Sequence, residues 1–186
     1  MAGHGHVEHG TDKRIALLIA VLALCLAVVE TGAKSAQTEA LTRNVEAANL
    51  WSFFQARSIR QTTVRTAADA AELAKATADP AGRGAIEAQQ KAWRDNATRW
   101  ESEPDTGEGR KELSQRARTA EARREYSMAA YHLFEYGAAA FQVAIVVASA
   151  SIITGVALLT VGGLLLGAAG IALGLLGWLA PMLVHF

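Results

Sequence analysis

The last 50 residues of the chain, from Gly137 to Phe186, contain no Asp, Glu, Lys or Arg. One helix of that length would be about 75 Å long at roughly 1.5 Å per residue, whereas the hydrocarbon core of a bilayer is about 30 Å thick. A small globular core does not require such a segment, but two membrane crossings do. Adjacent glycines relax the backbone, so we expect the break at Gly162 and Gly163. The sequence therefore predicts one span over 138–161 and another over 164–183.

A third apolar run, residues 15–29, follows two basic residues near the start of the chain. As a helix it would cover only about 22 Å, so the predicted span is extended to 15–33. A basic flank before a short apolar run is also typical of a cleaved signal peptide. Glu30 and Lys34 interrupt the small-residue region that cleavage requires, so we prefer an uncleaved first span.

The charged residues are concentrated in the middle of the chain. Of the 18 basic and 18 acidic residues, 16 and 15 respectively lie between Lys34 and Glu135. This segment is nearly neutral, which argues against nucleic acid as a partner. Its composition favours helices, separated by turn sequences at 79–84 and 103–109. We expect an all-α integral membrane protein with three transmembrane helices. Residues 34–137 would form an extramembrane helical hairpin or coiled-coil projection, continuous with spans one and two.

Small residues recur at alternating steps of four and three in each predicted span. Lipid provides no hydrophobic force between helices, so small side chains that allow close approach are typical of their interfaces. A repeat averaging 3.5 residues predicts left-handed crossings. We expect close packing along this helix-packing seam, within one chain or between chains. It consists of Ala16, Ala20, Ala23, Ala27, Ala144, Ala148, Ser151, Gly155, Gly163, Gly167, Gly170, Gly174 and Gly177.

Four polar residues lie within or at the ends of the spans: Glu30, Gln142, Ser149 and Thr154. Glu30 and Lys34 are one helical turn apart, which allows an interfacial ion pair. The alternative is a carboxyl group that lines a polar path. For Gln142, Ser149 and Thr154 the alternatives are a polar lining or local hydrogen bonds within the helix.

Aromatic residues precede the second span, at Tyr126, Tyr131, Phe134 and Tyr136. Such residues are typical of the membrane–water interface, so they predict an aromatic belt. We expect the helix that begins near Arg110 to pass through this belt into the second span without a break.

The first 14 residues form a polar tail that contains His4, His6 and His9. Imidazole and amine nitrogens suit copper or nickel, so this tail is a possible metal site, the alternative being a solvated tail without metal. We expect no other cofactor. Cys25 is the only cysteine, which excludes a disulfide within the chain.

Four stretches carry a resemblance to a known family: KRIALL at 13–18, NLWSFFQA at 49–56, SIRQT at 58–62 and ASASIITG at 148–155. Over nearly its whole length the chain resembles a bacterial family known as domain of unknown function 4337. The resemblance implies a multi-pass protein of the bacterial inner (plasma) membrane with three spans. It carries over no catalytic or binding residue.

The sequence contains neither a phosphate-binding GxxxxGK[ST] loop nor an HExxH zinc motif, and Cys25 has no base beside it. We therefore expect no enzymatic activity. The favoured function is a helical, homo-oligomeric membrane assembly with a scaffold or partner-binding role, in which the projection binds a protein partner. The alternative is an oligomeric channel or transporter with a polar path near Glu30 and Gln142.

Overall fold

The computed structural model describes residues 8–183, and within this range the chain is helical and contains no strand. The all-α prediction is therefore confirmed. The helices are α1 (Glu8–Lys75), α2 (Pro80–Glu101), α3 (Arg110–Thr154) and α4 (Ala157–Leu179), followed by a 3₁₀ turn at Pro181–Leu183. By length and composition, α1, α3 and α4 are long and apolar enough to cross a membrane. As predicted, one unbroken helix runs from Arg110 into the apolar segment.

The described residues form two compact units. The first, which we call the apolar unit, comprises the described residues up to Leu41 and from Arg124 onward. The second, the charged unit, comprises Thr42–Arg123. Between Gly32 and Pro80 the sequence has neither glycine nor proline, so no strong helix breaker interrupts α1.

The turn between α3 and α4 lies at Gly155 and Val156, so the predicted break at Gly162 and Gly163 is wrong. Gly155 has a φ of 68°, a conformation that glycine adopts without steric cost at the residue after a helix. Its amide donates to the Ser151 carbonyl at 2.9 Å. Gly162 and Gly163 lie inside α4, and the predicted limits 138–161 and 164–183 therefore do not coincide with the helices.

Side-chain hydroxyls stabilise this turn. The Ser151 hydroxyl donates to the Val156 carbonyl at 3.2 Å and lies 2.6 Å from the Thr160 hydroxyl. These bonds satisfy polar groups where the helical ladder is interrupted, which is the requirement at any helix end. A chain reversal in an apolar environment is therefore well placed here, where hydroxyl groups can bond the backbone groups that the helices leave free.

Helices α3 and α4 pack through a seam of small and aromatic residues. The buried positions of α3 follow steps of four and three, and all five seam glycines of α4 are buried. A Cβ atom added to Gly170 would lie 3.0 Å from the Phe141 ring and 3.1 Å from the Gly137 carbonyl oxygen. One added to Gly163 would lie 3.2 Å from the Ala144 carbonyl oxygen. The two backbones therefore approach more closely than any larger residue would permit.

Helix α1 packs on α4 by placing larger side chains over glycines. Leu22 lies over Gly167 and Val29 over Gly174. Because both pairs advance in the same direction, α1 and α4 are parallel. Helix α3 is antiparallel to both, since Phe141 faces Gly170 whereas the earlier Phe134 faces Gly177.

Phe134 lies inside the apolar unit, between two glycines. Cβ atoms added to Gly32 of α1 and Gly177 of α4 would both lie 3.2 Å from its ring. The inclusion of Phe134 in an aromatic belt is therefore wrong, because a ring held between two helices is not available to an interface. Tyr126 and Tyr136 are exposed, as belt residues would be.

The charged unit contains three helical segments, as the turn sequences at 79–84 and 103–109 predict. Residues from α1, α2 and α3 all contribute to it. Its apolar core is formed by α1 and α3 and consists of Ala47, Leu50, Leu113, Ala117 and Ala120, with Trp51 and Phe54 packed against it. Helix α2 begins at a capped turn, where the Asp79 carboxyl accepts from the Gly82 amide at 2.8 Å and Pro80 occupies the first turn.

The glycine seam makes a prediction about stability. Gly170→Ala should destabilise the apolar unit by about 1–3 kcal/mol, because the added methyl group would lie 3.0 Å from the Phe141 ring and 3.1 Å from the Gly137 carbonyl oxygen, so these atoms have to shift. The matched control is Gly162→Ala in the same helix, where the nearest atom would be a Val147 methyl carbon at 3.7 Å. Thermal unfolding of the purified protein in detergent compares them. Equal unfolding temperatures for the two variants would contradict the close approach of α3 and α4.

Candidate functional site

Two of the predicted polar residues come together across α1 and α3. Gln142 Nε2 donates a long hydrogen bond, 3.4 Å, to Glu30 Oε1. Side chains on a helix lean toward its amino terminus, so on antiparallel helices these two lean toward each other. Glu30 is half-buried and Gln142 is exposed. The apolar unit thus carries an amide–carboxyl pair on its outer surface.

The other polar groups of the spans are satisfied locally. The Ser149 hydroxyl donates to the Ile145 carbonyl at 2.8 Å, and the Thr154 hydroxyl donates to the Ala150 carbonyl at 2.9 Å. Within the described residues, Glu30 and Lys34 form no ion pair, so that alternative for Glu30 is not supported. The candidate site is therefore limited to Glu30 and Gln142.

The alanine stripe of α1 does not pack within the chain. Ala16, Ala20, Ala23 and Ala27 are all exposed, and the stripe leads along the helix to Glu30. Of the two alternatives for this stripe, packing within the chain is not supported, and packing between chains stays a prediction. The physical reason is that the glycines of α4 need large side chains opposite them to fill space, which α1 provides from its other face.

The remaining seam residues lie on α3 and α4, and most of them are used inside the chain. Ala144 and Ala148 are fully buried, and Ser151 is nearly so. The five glycines of α4 are buried against α1 and α3, as described above. Gly155 is exposed at the turn.

Sequence reasoning missed the aromatic partners of this seam. Phe134, Gly137, Phe141 and Ala144 are spaced by three, four and three, so large and small residues alternate along one face of α3. That signal was present in the sequence. A repeat of small residues alone does not reveal it, because a glycine seam also needs a large residue opposite each glycine.

An apolar groove of about 760 Å³ opens on the surface of the apolar unit between α1 and α4. Its rim carries exposed large side chains, among them Leu24, Val28, Leu175 and Trp178. Phe134 and Phe141 also line it, as does Cys25. The Thr31 hydroxyl at this groove is satisfied by the Ala27 carbonyl at 2.8 Å. The groove therefore suits apolar material and offers little for polar recognition.

The charged unit is held together by buried polar side chains. Arg57 is only 9% exposed, and its Nη2 donates to the Glu108 carboxyl at 2.7 Å. Its guanidinium also lies 5.3 Å from the centre of the Phe53 ring. Arg57 of α1 is therefore paired with an acid from the turn that precedes α3. Trp51 Nε1 donates to Glu121 at 2.8 Å and so links α1 to α3.

Gln61 is the centre of a second network in this unit. Its Nε2 donates to the Ala97 carbonyl at 2.8 Å and to Glu101 at 3.0 Å, and its Oε1 accepts from Arg110 Nη1 at 2.6 Å. The hydrogen bond from Gln61 lowers the pKa of Glu101, with a smaller contribution from the charge of Arg110, while burial opposes the shift. The buried amide of Gln61 thus joins α1 to both α2 and α3.

Gln90 of α2 forms a similar network near the carboxyl end of α1. Its Nε2 donates to the Ala68 carbonyl at 2.6 Å and to Glu72 at 3.0 Å. That bond is the main cause of a lowered pKa for Glu72. These networks therefore join α1 to α2 and α3.

The predicted metal site lies outside the described part of the chain. His4, His6 and the side chain of His9 lie outside the described residues. Among the residues that are described, no group of three or more His, Cys, Asp or Glu side chains is placed to hold a metal ion.

Comparison with known families identifies the chain's relatives. The family described as Domain of unknown function (DUF4337) matches residues 11–180. The chain belongs to this family. No curated protein and no solved structure matches the chain. The match covers α2, α3 and α4 completely and α1 from residue 11 onward.

The Gln61 network makes a second prediction. Gln61→Leu should reduce the free energy of unfolding of the charged unit by about 1–3 kcal/mol, because it removes the buried amide that bonds the Ala97 carbonyl, Glu101 and Arg110. Glu101 and Arg110 keep the 3.0 Å bond to each other. Gln55→Leu, the same change at an exposed position of α1, should stay within about 0.5 kcal/mol of the parent. Denaturation followed by tryptophan fluorescence in a Trp178→Phe background reports on this unit. Similar losses in both variants would contradict a structural role for Gln61.

Proposed function

We propose that this protein is a non-enzymatic, multi-pass protein of the bacterial inner membrane, whose copies associate into a helical assembly with a scaffold or partner-binding role. In this proposal α1, α3 and α4 contain the three spans. The observation that carries it is the outward-facing pair of Glu30 and Gln142 within the proposed spans.

Exposure to lipid would make such a pair costly. Polar side chains within a bilayer are expensive, and they usually face other helices or a water-filled cavity. Helices in lipid associate through close packing and interhelical hydrogen bonds. Because the glycines of α4 are already covered by α1 and α3, further association has to use surfaces that remain exposed. Covering the face with Glu30 and Gln142 removes this cost, so we expect association to use that face.

The charged unit supports the partner-binding part of the proposal. A depression of about 670 Å³ runs along its α1 segment, and hydroxyl and small apolar side chains line it. These are Ser58, Ile59, Thr62, Thr63, Thr66, Ala67 and Ala70. Ile59 is 67% exposed. A partner helix with small apolar side chains fits a surface of this kind, since the hydroxyl groups of Ser58 and Thr63 are bonded to their own helix.

The mass of the purified protein tests the proposal. In mild detergent and in lipid nanodiscs, native mass spectrometry should give an integer multiple, two or more, of the 19.7 kDa chain. Association should decrease as detergent is added in excess, because dilution in the micelle phase separates the copies. A single chain per particle under all conditions would contradict the assembly.

A second candidate function is favoured by the same polar pair. If several copies placed Glu30 and Gln142 around one axis, they would line a polar path through the assembly, as polar rings do in channels. Liposomes that contain the protein should then conduct ions, and Glu30→Gln should change the conductance. Glu87→Gln, at an exposed position of α2, is the control. Conductance at the level of empty liposomes, or equal in Glu30→Gln and the parent, would contradict this function.

A further inference from the structure

The outer face of the apolar unit between α1 and α3 combines two features. Its polar centre is the pair of Glu30 and Gln142, and the exposed alanines of α1 lie beside it. We infer that a second copy of this chain docks on this face, with Gln142 of each copy donating to Glu30 of the other. This inference rests on the proposed homo-oligomer, and it specifies which surface forms the contact.

The hydrogen-bonding capacity of the pair is the main reason. Gln142 has two N–H donors and the bond within the chain uses one of them, while the second oxygen of Glu30 has no protein donor among the described residues. Each copy therefore presents one free donor and one free acceptor side by side. A two-fold axis brings the donor of one copy to the acceptor of the other, and does so twice. The face is thus complementary to itself.

Orientation in a membrane imposes the same geometry. All copies inserted in one direction are related by an axis along the membrane normal, so equal residues of the two copies lie at equal depth. Glu30 and Gln142 of one copy are then level with those of the other. No different partner is needed to satisfy the pair.

Close approach is possible because this side of α1 carries only methyl groups. Ala16, Ala20, Ala23 and Ala27 leave room for a second helix at an axial distance near the lower end of the range, about 8 Å. The opposite flank of α1 carries Val21, Leu24 and Val28, which are exposed and bulky. That flank borders the apolar groove, and lipid acyl chains can cover its apolar side chains without any hydrogen bond. The polar pair, not the alanines alone, selects the first face.

Disulfide cross-linking tests the docking face. In a Cys25→Ala background, copies with Ala23→Cys and copies with Val143→Cys should form covalent dimers with each other in the membrane on mild oxidation, because α1 of one copy faces α3 of the other across the axis. Each cysteine introduced into α1 is tested against copies with Val143→Cys. Leu24→Cys is the matched control, since Leu24 is adjacent, 67% exposed and on the other flank. We expect several-fold more dimer from Ala23→Cys. More dimer from Leu24→Cys, or equal amounts from both, would overturn the inference.

Substitution of the polar pair supplies a second readout. Gln142→Leu should weaken association about tenfold, since each of two symmetry-related hydrogen bonds is worth about threefold. Ser149→Ala, which removes a hydroxyl bonded within its own helix, should leave association unchanged. If Gln142→Leu leaves association unchanged, the inference is overturned while the proposed assembly stands. A monomeric parent protein would overturn both, so the two failures are distinguishable.

Discussion

The fold of the apolar unit depends on the contact between the backbones of α3 and α4 at Gly137 and Gly170. A Cβ atom on Gly137 would lie 3.2 Å from the Gly170 carbonyl oxygen, so each glycine makes room for the main chain of the other. Once the helices are this close, the Phe141 ring can lie against Gly170 and the Phe134 ring between Gly177 and Gly32. Dispersion contacts of this density are what hold helices together where water is absent.

This packing also determines which surfaces of the apolar unit remain exposed. The glycines of α4 are covered, and α1 contributes Leu22 and Val29 to cover two of them. The alanine stripe of α1 is left on the surface together with the amide–carboxyl pair of Glu30 and Gln142. The surface available for association is therefore a consequence of how the interior is packed. In the charged unit, by contrast, buried amides of Gln61 and Gln90 join the helices through hydrogen bonds to carbonyl groups.

Much of the fold could be predicted from the sequence, and each wrong prediction has an identifiable physical cause. The charge-free segment and the absence of proline predicted long apolar helices, because those signals depend on composition alone. The position of the α3–α4 turn did not follow from the glycine pair, since Gly162 and Gly163 fit a packed helix as well as a break. Thr154 and Gly155, with hydroxyls at Ser151 and Thr160 nearby, were the better signal. Which face of α1 is buried depends on the side chains opposite it, and these are known only once the three helices are together.

The most direct test of this account asks whether the glycine seam closes within one chain. A Cβ atom on Gly163 would lie 3.3 Å from the Ala148 Cβ, close to the separation across a disulfide. Ala148→Cys with Gly163→Cys, in a Cys25→Ala background, should therefore lose both thiols on oxidation while the chain keeps its monomeric mass on a denaturing gel. Covalent dimers as the main product would show that the seam joins different chains and would contradict the account.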